Sequence, residues 1–111
     1  MALPHARSAQ IVSIRPLGPL VPQTPSHAIL KAQQLEIVRI VLPAGQSARQ
    51  NDSPGEFTLL CLEGEVEFDC DGRTQRLCAG DLLHLGPGSG YGLRAFQDAS
   101  LLLTLCLVPA R

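Results

Sequence analysis

The chain has 111 residues, 45% of them hydrophobic and 17% charged, which suits one globular core and excludes a disordered polymer. Its formal net charge of -1 offers no basic stripe to neutralise phosphates, so nucleic acid is excluded as a partner. No stretch approaches the ~20 apolar residues of a membrane helix, so no membrane partner is expected.

In chain order, residues 1–27 read as a proline-rich arm whose one strand candidate is IVSIRPL. The arm lacks the unbroken apolar run of a signal peptide, so a cytoplasmic location is the expectation. A short strand at Ile29 and Leu30 precedes a polar break. LEIVRIVL, residues 35–42, is rich in β-branched residues and is stopped by Pro43, Ala44 and Gly45. Residues 46–56, QSARQNDSPGE, carry turn formers and read as a polar loop. FTLLCLEG then reads as a strand ending on Gly64.

EVEFDC-DG-RTQRLC permits a residue-level expectation. Asp71 and Gly72 lie between two alternating runs, the signal of a two-residue hairpin turn. That turn sets Cys70 opposite Arg73, Phe68 opposite Gln75, Glu67 opposite Arg76 and Val66 opposite Leu77. Glu67 and Arg76 then form an opposite-charge pair. Val66, Phe68 and Leu77 share one face, and Cys70 and Cys78 fall on opposite faces, which excludes a disulfide between them. A strand over residues 81–85 follows, then a glycine-rich corner, a strand over 91–96, a turn at Gln97, Asp98 and Ala99, and a last strand over 100–108. That last strand is apolar on both faces and needs cover on both. The N-terminal strand or a partner subunit could cover the side away from the core. Short strands separated by frequent turn signals indicate an all-β sandwich or barrel.

The glycine-rich stretch GDLLHLGPGSGYGLRA is not a phosphate cradle. Gly86 and Gly88 begin a G-x-G-x-x-G pattern, but its last position is Tyr91 and no helix follows. A Walker loop needs a lysine, and the only lysine of the chain is Lys31. The four cysteines, Cys61, Cys70, Cys78 and Cys106, form no C-x-x-C pair and read as reduced thiols.

Two segments, LPAGQSARQNDSPGEFTLLCLEGEVEF and CAGDLLHLGPGSGYGLRA, together resemble the two motifs of the small single-domain cupins of the RmlC-like jelly-roll family. Gly45, Gly64, Gly80, Asp81, Pro87 and Gly88 carry the framework. The resemblance implies a cupin-type double-stranded β-helix, a jelly-roll barrel over residues 28–108. It implies that the glycines turn a barrel corner and that Asp81 bonds local backbone. It also implies a homodimer, since cupins commonly pair through N-terminal strands.

Metal-binding cupins hold a divalent ion with imidazoles and a carboxylate. Here the first histidine position falls on Asn51, or on Gln50 with a one-residue shift, and the second on Ser53 or Asp52. The carboxylate position falls on Phe57 and the last histidine on Tyr91. An amide, a hydroxyl, a benzyl ring and a neutral phenol are poor donors for a transition ion. No metal and no cofactor are therefore expected. The resemblance thus reads as a cupin with a lost metal site, acting as a non-catalytic small-molecule-binding or assembly module. Asn51, Tyr91 and Glu56 are its candidate residues at the barrel mouth. The alternative is a metal-independent isomerase or epimerase, with Tyr91 as acid and His84 or Glu56 as base.

Overall fold

The computed structural model describes residues 5–51, 53 and 55–107. A short 3-10 helix, Gly18–Gln23, precedes the strands β1 (His27–Lys31), β2 (Leu35–Leu42), β3 (Ser47–Gln50), β4 (Phe57–Glu63), β5 (Glu65–Cys70), β6 (Arg73–Cys78), β7 (Leu82–Leu85), β8 (Tyr91–Ala95) and β9 (Ala99–Cys106). They form two antiparallel sheets. The first has the order β1-β2-β9-β4-β7 and the second β3-β8-β5-β6. Chain neighbours such as β2 and β3, or β7 and β8, lie in different sheets, which is the jelly-roll path. Among the described residues no helix is long and apolar enough to cross a membrane.

Period-two alternation decides which side chains enter the core. Phe57, Leu59 and Cys61 of β4 face Leu105, Leu103 and Leu101 of β9. Val66 and Phe68 of β5, Leu77 of β6 and Tyr91, Leu93 and Ala95 of β8 close the core from the second sheet. The β5–β6 hairpin has the register its sequence demands, from Cys70 with Arg73 to Val66 with Leu77. Its turn places Asp71 at φ 53° and Gly72 at φ 75°, the paired left-handed angles of a type I′ turn. The cross-strand charge pair differs from the expected one. Arg76 reaches diagonally to Glu65 at 2.9 Å, because its guanidinium also lies over the Phe96 ring, 4.6 Å from the centroid. All four cysteines are free thiols.

Two sequence expectations are corrected. Residues 47–50, read as loop, form the strand β3. It is an exposed edge strand hydrogen-bonded only to β8, so its residues are polar and lack the alternation that marks a half-buried strand. IVSIRPL forms no strand. Residues 14–18 instead lie across the outer face of the first sheet, where their backbone groups bond side chains. Arg39 donates to the carbonyls of Ile14 (2.7 Å) and Arg15 (2.5 Å). Glu63 accepts from the amides of Leu17 and Gly18, each at 2.8 Å, and from the hydroxyl of Ser100. Prolines at 16 and 19 remove the donors a strand ladder would use. The last strand ends at Cys106, and Val108 lies outside the described residues.

Asp81 has the expected local role, accepting from the amide of Cys78 at 2.8 Å.

Candidate functional site

A cavity of about 380 Å³ opens at the end of the barrel between β2 and the edge strand β3. Its size lies in the range of small-molecule sites. Five strands build its wall. Glu36, Val38 and Ile40 alternate inward along β2, and Leu103 and Leu105 do so along β9. Phe57 comes from the start of β4, Ala48 and Gln50 from β3, and Tyr91 and Leu93 from β8. Ser26, Arg49 and Ser53 complete the rim.

Tyr91 anchors the floor. It is buried against Phe57, with ring centroids 5.0 Å apart and tilted by 39°, and against Phe68 at 5.8 Å in a stacked arrangement. Burial alone pushes its phenol above the ordinary tyrosine pKa, so it is a neutral phenol at physiological pH. The glycine-rich stretch holds the rim. Gly88 donates its amide to the Ser53 carbonyl at 2.8 Å. Gly90 lies so close to β3 that a Cβ there would stand 2.7 Å from the carbonyl oxygen of Asn51. Only glycine permits that approach, which seats Tyr91 opposite Gln50 in the β3–β8 register.

The structure separates the residues that sequence spacing grouped. Tyr91 lines the cavity. Asn51 is not among the wall residues; it lies exposed just past the end of β3. Gln50 is the residue paired with Tyr91, in accord with the one-residue shift of the motif. Glu56 is also absent from the wall. It pairs with His84 at 2.8 Å on the outer surface, with side chains 64% and 61% exposed respectively. The reason is parity. His84 stands opposite Thr58 on the outward face, while Leu83 and Leu85 turn inward. Acid–base work requires both groups on one substrate, and neither proposed base shares the cavity of Tyr91.

Glu36 was missed by sequence reasoning. Its signal was its inward parity within LEIVRIVL, where Val38, Ile40 and Leu42 share its face. It is half-buried on the wall, and no described residue forms a hydrogen bond or ion pair with its carboxylate. Arg49, by contrast, is engaged by Asp69 at 2.7 Å, and the Ser53 hydroxyl donates to the Gly55 carbonyl at 2.8 Å.

The donor set does not fit a divalent transition ion. Among the described residues the wall holds one carboxylate, an amide, two serine hydroxyls, a guanidinium and a neutral phenol, with no imidazole or thiolate. No group of three His, Cys, Asp or Glu residues converges among them, whereas such an ion needs about three good protein ligands.

No family model matches the chain, and no curated protein matches it. Solved structures do. A cupin superfamily protein from Desulfitobacterium hafniense is 20% identical with a TM-score of 0.74, over 93% of this chain and 100% of the other. An RmlC-like cupin protein from Desulfovibrio desulfuricans is 23% identical with a TM-score of 0.72, over 87% and 97%. A conserved protein of unknown function from Streptococcus pyogenes is 22% identical with a TM-score of 0.72, over 99% and 97%. The chain therefore has the fold of a small cupin domain.

Proposed function

We propose that this cupin-fold barrel is a non-catalytic module that binds a small molecule in its open end without a metal ion. The carrying observation is the cavity itself, an apolar wall with a few polar groups at the rim, the usual composition of a ligand site. The chemistry of its donors supports the metal-free reading. The outward pairing of Glu56 with His84 removes the support for an epimerase-like reaction using Tyr91 with either residue.

Elemental analysis tests the metal term. Purified protein is expected to carry far less than one zinc, iron, nickel or manganese per chain, and a stoichiometric ion would overturn the reading. A thermal-shift screen of small apolar molecules tests the binding term. Hits are expected to raise Tm in the native chain and not in Ala48→Phe, whose ring would occupy the cavity; hits equally strong in both would move the site elsewhere.

The assembly we propose is a homodimer through the β7 side of the first sheet's outer face, which residues 14–18 leave uncovered at Leu82. Leu82, Leu60 and Leu102 form one row across β7, β4 and β9, and Leu82 is 67% exposed. Adjoining apolar side chains on a sheet face favour burial against a second surface.

A further inference from the structure

Resting on the reading of the cavity as a ligand site, we infer that its ligand is a small amine with an aromatic or branched apolar body, whose ammonium group is received by Glu36. The cavity joins two features. One is an extended apolar surface made by Val38, Ile40, Leu93, Leu103 and Leu105 with the Phe57 and Tyr91 rings. The other is a half-buried carboxylate with no partner among the described residues.

A ligand seated in the cavity would take the Glu36 carboxylate out of water, and an ammonium group would offset that cost with a charge-assisted hydrogen bond. Neither nearby cation is paired with Glu36. Arg49, the guanidinium at the rim, is already engaged by Asp69. Lys31 stands opposite Glu36 across β1, yet it is exposed on an edge strand and closes no ion pair with it. The aromatic pair adds a stacking surface for the ligand body and a favourable quadrupole for its positive end. An acid or phosphate would instead meet Glu36 with like charge.

The test titrates the full chain with phenethylamine, 2-phenylethanol and 3-phenylpropionate, followed by amide chemical shifts. Phenethylamine is expected to bind about tenfold more tightly than the alcohol, and the carboxylate most weakly. Glu36→Gln is expected to remove the preference for the amine while keeping the weak binding of the alcohol. Lys31→Ala is expected to keep or enhance the preference. Equal affinity for amine and alcohol in the native chain would overturn the amine assignment and leave the cavity as a binding site. A preference that survives Glu36→Gln would overturn the role of Glu36. Absence of binding by all three probes would overturn the assignment together with the site, and Ala48→Phe then separates a blocked cavity from an irrelevant one by whether its stability rises through filling.

Discussion

Tyr91 combines a ring that packs in the core with a phenol hydroxyl, and two substitutions separate their contributions. Tyr91→Ala removes the ring that packs on Phe57 and Phe68, and by comparison with other aromatic truncations it is expected to cost about 3–5 kcal/mol in denaturant unfolding. Tyr91→Phe keeps the ring and is expected to cost less than about 1.5 kcal/mol. A larger loss would mean that the hydroxyl is a structural bond. Gly64 is a second single-residue constraint. It sits at φ +78°, and a Cβ there would come within 2.3 Å of the Asp98 carbonyl oxygen. Gly64→Ala therefore forces the backbone of a core crossover to move and is expected to destabilise by at least about 2 kcal/mol. The cysteines differ in the same way by environment. Burial foremost pushes the Cys61 thiol up to about 11, while Cys78 is exposed. A thiol reagent at pH 8 is expected to label Cys78 first and Cys61 only on unfolding; early labelling of Cys61 would contradict its burial.

At the scale of elements, the hairpin and the arm are fixed by different kinds of information. The β5–β6 register was legible because the turn residues and the alternating faces agree, and a slip by one residue would turn Val66 and Phe68 to solvent. The arm was not legible as a covering segment. Its binding depends on Arg39 and Glu63, two charged residues separated along the chain that are brought together on the outer face of the first sheet. Desolvation by burial raises the Glu63 pKa, but hydrogen bonds from Ser100, Leu17 and Gly18 and the charge of Arg39 outweigh it, leaving the carboxyl below the ordinary glutamate range. A depressed folded-state pKa stabilises above the unfolded value and is lost as pH falls through the folded one. The arm is therefore expected to hold at neutral pH and to loosen as the pH falls below the ordinary glutamate range. Hydrogen exchange at the amides of Leu17 and Gly18 reads this directly. Glu63→Gln is expected to speed that exchange at neutral pH and to flatten its acid dependence, and unchanged protection would show that apolar contacts alone hold the arm.

At the scale of the whole molecule, the outer face of the first sheet bears on assembly. The proposed homodimer predicts that sedimentation at micromolar concentration gives twice the chain mass, and that Leu82→Lys shifts it to the monomer by setting a charge in the apolar row. A native chain that sediments as a monomer would remove the proposal without touching the barrel.

Much of this architecture was readable beforehand, because strand periodicity, turn residues and hydrophobic alternation are local properties that neighbouring residues write together. Strand β3 escaped because an exposed edge imposes no alternation, and the Glu56–His84 pair escaped because two residues distant in the chain meet only through the β4–β7 register. The sequence by itself determined an all-β sandwich or barrel and the register of the β5–β6 hairpin, and its resemblance to the cupin motifs pointed to the jelly roll. Only the tertiary structure decided that Gln50 rather than Asn51 stands beside Tyr91, that Glu56 and His84 face outward, and that Glu36 lines the cavity. A side chain's destination there depends on which face of two sheets a strand presents, and that parity is set by pairing between segments far apart in the chain.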